Sequence, residues 1–116
     1  MLYPKFLKEK DTIGITAPSQ GVGDNIESFE KSLTTLTKNG YQIKETASVR
    51  NKGITSTTGE NRSKELDELI TDTNIKMIIC ATGGDFLVDM LPSINWESIR
   101  KNPKWIMGYS DPTALL

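Results

Sequence analysis

Within Trp105-Ile106-Met107-Gly108-Tyr109-Ser110-Asp111-Pro112-Thr113, one side chain is placed to act as a nucleophile. Trp105 to Met107 read as a short apolar strand, and Gly108 opens a turn. Pro112 then falls in the first turn of a helix, where a missing amide needs no acceptor. A serine at such a strand, turn and helix corner stands above the carboxyl end of a sheet, and the amides behind it can hold an oxyanion. Ser110 is therefore the candidate catalytic residue, for acyl transfer. Only G-x-S of the usual G-x-S-x-G is present, because Pro112 replaces the second glycine. The competing reading is a serine that caps the helix with its side chain. Asp111 reads as a structural cap through its carboxylate and as an oxyanion donor through its backbone amide. The glycine pair Gly83-Gly84 offers bare backbone and a second donor; the plain alternative is a turn.

The chain has no histidine, the residue that most often accepts a proton from a serine nucleophile. If Ser110 is catalytic, its base lies elsewhere. The lone cysteine, Cys80, sits in the apolar run Met77 to Ala81, so no disulfide or cysteine metal site can form within the chain, and a buried, inert thiol is expected. No metal or cofactor is expected: neither G-x-G-x-x-G nor G-x-x-x-x-G-K-[ST] occurs. Trp96 and Trp105 read as packing residues. Arg62 is expected on the exposed side of its helix or at its first turn, anchoring a loop without a catalytic role.

The elements that must position these residues follow from pattern. The 116 residues fit one domain, and 14 basic against 15 acidic side chains give a net charge of -1 with interspersed signs. Nucleic acid and anionic membranes are not expected partners. No apolar run could span a bilayer and the amino end has no leader pattern, so a cytoplasmic location is expected. Thr12 to Thr16 form a first strand. Asp24 and Glu27, in capping-box spacing, open a helix over Asn25 to Asn39. Tyr41 to Glu45 alternate like an edge strand, and the polar stretch Thr46 to Gly59 is a long loop. Thr57 and Glu60 cap a second helix, surface-lying, with a narrow apolar face of Leu66, Leu69 and Ile70. Met77 to Ala81 read as a central parallel strand ending at the glycine pair. A short helix holding Phe86, Leu87, Met90 and Leu91 stops at Pro92, and Trp96 to Lys101 form another. This alternation predicts an α/β domain, a parallel sheet with helices on both faces. Right-handed crossovers bring Ser19, Gly83-Gly84 and Ser110 to one sheet edge.

The order of Asp11-Thr12-Ile13-Gly14-Ile15-Thr16-Ala17-Pro18-Ser19, Gly59-x-x-Arg62, Gly83-Gly84, Met90-Leu91-Pro92, Asn102-Pro103-Lys104 and Gly108-Tyr109-Ser110-Asp111-Pro112-Thr113 resembles the amino-terminal domain of the LD-carboxypeptidase family. These are the S66 serine peptidases, which include the microcin C immunity peptidases. The resemblance covers nearly the whole chain. It implies a flavodoxin-like, class I glutamine amidotransferase-like three-layer domain, residues 1–116, whose partner is a carboxy-terminal domain supplying a glutamate and a histidine. Ser110 matches the family's nucleophile, and the amides of Asp111 and of one glycine of the pair, Gly84 in preference to Gly83, match its oxyanion hole. The implied substrate is a small peptide: a murein peptide cut at an L-D bond, or a microcin C-like amide. Thr82 and Asp85 flank the glycine pair where many LD-carboxypeptidases carry arginine and tyrosine. Near Phe86 to Val88, the asparagine-serine-asparagine run usual in microcin-type members is absent, so both substrates stay open. A homodimer is expected, and this domain alone is expected to be inactive. The rival class is a non-catalytic, flavodoxin-like ligand-binding or interaction module.

Overall fold

The computed structural model describes residues 2–116. Strands β1 (Thr12–Thr16), β2 (Gln42–Glu45), β3 (Ile75–Cys80) and β4 (Trp105–Met107) form one parallel sheet in the order β2-β1-β3-β4. The chain begins in the middle, steps outward to β2, then returns past β1 to build β3 and β4. The direction of winding therefore reverses between β1 and β3, the place where open parallel sheets leave a crevice at their carboxyl edge.

Helix α1 (Ile26–Lys38) covers one face, where Phe29, Leu33 and Leu36 pack on Ile13 and Ile15 with Val22 and Val49. The other face carries α2 (Gly59–Thr71), a 3-10 segment at Leu87–Ser93 and α3 (Trp96–Lys101). There Leu66, Leu69 and Ile70 meet Ile75, Ile78, Leu87, Met90 and Ile94. Gly14 lets α2 approach, since a Cβ there would lie 2.9 Å from Leu69 Cδ1. The three-layer α/β/α arrangement is the expected one. On the α1 side the cover is incomplete, and a groove of roughly 630 Å³ runs over Ile79, Ala81, Met107 and Tyr109 toward Thr82.

Several local expectations are corrected. Helix α2 is embedded rather than surface-lying, with Arg62, Ser63 and Glu65 buried beside its three apolar residues. Its cap is Thr58, whose hydroxyl accepts the Asn61 amide, one residue later than expected. At α1 the Asp24–Glu27 box does not form, because a 3-10 turn at Gly23–Asn25 leads into the helix and Asp24 pairs with Lys52. The segment after the glycine pair is 3-10 helical and continues through Pro92 to Ser93. The polar loop between β2 and α2 is closely packed: Val49, Thr46 and Ser56 are buried, and Ser56 donates to Ala17 O at 2.6 Å.

Cys80 is buried as expected, and burial pushes its thiol up to about 12 from 9.0. Its contribution to stability is complete below about pH 9 and falls as the pH climbs toward 12, because only the unfolded chain releases the proton in that window. Urea unfolding at about pH 8 and about pH 10 will show a larger loss of stability for the wild type than for Cys80→Ala. Equal losses would contradict the buried thiol.

Candidate active site

β4 runs out at Met107, and the chain reverses within three residues into a 3-10 turn at Asp111–Leu115. Gly108 makes the corner possible: a Cβ there would lie 2.8 Å from Pro112 Cβ and 3.2 Å from Cys80 Cβ. Pro112 occupies the first turn and is buried. Ser110, between them, has φ 59° and ψ -129°, a left-handed conformation that costs a non-glycine residue about 1–3 kcal/mol. Its side chain is exposed and makes no capping hydrogen bond. That removes the helix-cap reading. Only its carbonyl serves the turn, accepting from Thr113 N at 3.0 Å.

The glycine pair lies against this corner. A Cβ on Gly83 would stand 3.2 Å from Ser110 Cβ and 3.3 Å from its Oγ. Gly84 has φ 151° and backs onto Ser19, where a Cβ would fall 2.2 Å from Ser19 Oγ. Gln20 N donates to Gly83 O at 3.1 Å. The three loops expected to converge do so, bringing Ser19, Gly83-Gly84 and Ser110 together.

The Asp111 carboxylate does not cap its own turn. One of its oxygens accepts from the fully buried Ser19 hydroxyl and from Leu87 N at 2.8 Å, so it caps the neighbouring 3-10 segment instead. Arg62 is 2% exposed rather than on an open face. Its Nη1 donates to Pro18 O at 2.7 Å and Phe86 O at 3.0 Å, and its Nε to Thr57 O at 3.0 Å. Burial pulls the guanidinium below its ordinary value, opposed by the charges of Asp89 and Asp111. Arg62 is thus an anchor, of three segments at once. Ser19 emerges as its counterpart on the β1 loop. Among the described residues, no group of three or more His, Cys, Asp or Glu is placed to hold a metal ion.

An outward-facing serine with a strained backbone thus stands where β4 turns into a 3-10 segment, on the carboxyl edge of a parallel sheet. Residues 13–116 match the family model for the LD-carboxypeptidase N-terminal domain, and the chain belongs to this S66 peptidase family. It is 34% identical over 113 residues to the microcin C7 self-immunity protein MccF of Escherichia coli, covering 91% of this chain and 31% of that one. It is 32% identical over 113 residues to a Bacillus subtilis protein named a probable murein peptide carboxypeptidase, covering 97% and 35%. The crystal structure of an MccF-like protein from Bacillus anthracis superposes with a TM-score of 0.92 at 29% identity, covering 99% and 36%. The chain thus spans about a third of the length of these relatives.

The strain at Ser110 is measurable. Ser110→Gly relieves it, and Ser110→Ala keeps it. In urea, Ser110→Gly will be more stable than Ser110→Ala by about 1 kcal/mol, the strain released less the entropy cost of glycine. An alanine variant at least as stable as the glycine variant would show that the corner carries no strain.

Proposed function

We propose that this chain is the nucleophile-bearing domain of a two-domain serine hydrolase that cleaves the L-D peptide bond of murein peptides or a microcin C-like amide in the cytoplasm. The observation that carries the reading is the Ser110 hydroxyl, exposed, uncapped and seated against Gly83. Membership of the S66 family and likeness to both named relatives support the two substrate types.

In this reading Ser110 Oγ attacks the scissile carbonyl, and its proton passes to a histidine that a glutamate orients, both from a second domain. The carbonyl oxygen becomes an oxyanion held by the amides of Asp111 and Gly84. Gly84 is favoured over Gly83 by the peptide between them. Its carbonyl is turned to Gln20, so its Gly84 N–H, trans to that carbonyl, is turned the other way. Collapse of the intermediate breaks the amide bond, and the histidine hands its proton to the departing amine. Water then cleaves the acyl-serine by the same steps in reverse order of partners. The enzyme works as a homodimer, and the domain alone lacks a base.

The test is turnover by the polypeptide that carries this domain together with a glutamate- and histidine-bearing partner domain. The substrates are an L-D-linked murein tetrapeptide and an aminoacyl sulfamoyl adenylate. One of them will be hydrolysed, and Ser110→Ala will lower kcat by at least about a thousandfold. Residues 1–116 alone will react with a fluorophosphonate far more slowly than that polypeptide. Turnover that survives Ser110→Ala, or equal labelling rates, would overturn the proposal in favour of a binding module.

A further inference from the structure

We propose that Arg62 and Asp111 act as a pair through the peptide group joining Phe86 to Leu87, and that this pair sets the spacing between the Ser110 corner and the Gly83-Gly84 turn. The inference deepens the hydrolase reading and rests on it for its kinetic consequence.

The Phe86 carbonyl accepts from Arg62 Nη1 at 3.0 Å, and the Leu87 amide donates to Asp111 Oδ2 at 2.8 Å. These are the two ends of one trans peptide, which point in opposite directions. Cation, peptide dipole and anion therefore stand in line, with the carbonyl toward the guanidinium and the N–H toward the carboxylate. Each charge strengthens the hydrogen bond at the other end. A second link runs beside the first. Pro18 O accepts from the same Nη1 at 2.7 Å, and the Ser19 hydroxyl donates to the same Oδ2. The two links close a ring through a single nitrogen and a single oxygen.

The ring touches both sides of the crevice. Asp111 follows the nucleophile directly in the chain. Ser19 backs Gly84 so closely that no Cβ fits between them, so a shift of Ser19 moves the glycine turn. No ion pair joins Arg62 to a carboxylate directly within salt-bridge distance among the described residues. The peptide is the intermediary. Arg62, Ser19 and Asp111, through its carboxylate, are positioning residues: they fix where the oxyanion donors stand relative to Ser110.

The experiment uses the two-domain polypeptide with Asp111→Ala, Asp111→Asn, Ser19→Ala and Arg62→Lys, assayed per folded molecule. Asp111→Ala and Ser19→Ala are expected to lower kcat on the order of a hundredfold with KM unchanged, because only alignment with the transition state is lost. Asp111→Asn, whose amide oxygen can accept the same two hydrogen bonds, restores most of kcat. In amide nuclear magnetic resonance spectra the Gly83, Gly84 and Leu87 resonances move in Asp111→Ala and return in Asp111→Asn. Arg62→Lys, which keeps the charge but not the fork, moves the same three resonances. Should it fail to fold, Ser19→Ala removes only a hydroxyl and carries the same expectation for Gly84. Wild-type kcat in Asp111→Ala, an Asn variant as impaired as the Ala variant, or unmoved glycine resonances would each overturn the proposal. A wild type without Ser110-dependent turnover would overturn the hydrolase reading instead, and the resonances alone would then decide the positioning role.

Discussion

A guanidinium almost wholly out of water must find its hydrogen bonds inside the protein, and for Arg62 that requirement organises the crevice. Burying a cation without partners costs several kcal/mol. Arg62 meets the demand with carbonyl oxygens of Pro18, Thr57 and Phe86, taken from the exit of β1, the approach to α2 and the exit of the glycine turn. Sheet topology places the ends of β1 and β3 side by side but does not decide what the chain does beyond them. The arginine does. Its planar fork addresses several acceptors in fixed directions, which a lysine's single ammonium could not match. The segments that approach Ser110 are therefore held from behind.

The same economy governs the polar loop between β2 and α2. Backbone leaving a strand loses its ladder partners and must be satisfied in another way. Ser56 N donates to Ser19 O at 2.9 Å, Ser56 Oγ to Ala17 O at 2.6 Å, and Val22 N to Val49 O at 2.7 Å. A stretch without hydrophobic period thus supplies the hydrogen bonds that keep the β1 exit in place. Against this fixed background the corner at Ser110 can hold a costly backbone conformation. Gly108 and Pro112 close on each other with no space for a side chain at position 108, and relaxing Ser110 would require opening that contact.

What could be read from the sequence divides along physical lines. Strands β1 and β4 and helix α3 have the predicted bounds, because each is a short apolar or amphipathic run with a proline, glycine or asparagine close to at least one end. That Ser19, Gly83-Gly84 and Ser110 leave the sheet at one edge followed from topology, since parallel strands send their ends to the same side; how closely the loops then approach did not. Burial of Arg62 was less accessible. Yet Arg62, Leu66 and Leu69 stand at i, i+4 and i+7, so the apolar face of α2 passes through the arginine. Its charge, not its position, suggested exposure. The caps failed for a different reason. Asp24 prefers Lys52, a partner from another loop, and Thr57 and Thr58 are chemically equivalent until the chain direction chooses between them. The carboxylate of Asp111 likewise answers to Ser19 and Leu87, neighbours only in space. Pairings made across the fold leave no trace in local spacing.

Ser110 is held by its backbone and by the packing around it. In a serine site whose nucleophile is oriented by a hydrogen bond to its base, removing the base loosens the nucleophile. Here the orientation comes from backbone dihedrals, from the contact of Gly108 with Pro112 and from the Gly83 surface opposite, none of which involves a histidine. Fixed dipoles must be rigid to stabilise a developing charge, because any reorganisation during the reaction would consume the advantage. Proton transfer asks only that a base come within reach. A domain can therefore carry the rigid half of such a site in finished form, while the titrating half belongs to a separate structural unit. On the proposed hydrolase reading, that division matches a sequence with a strained serine, a glycine pair and no histidine.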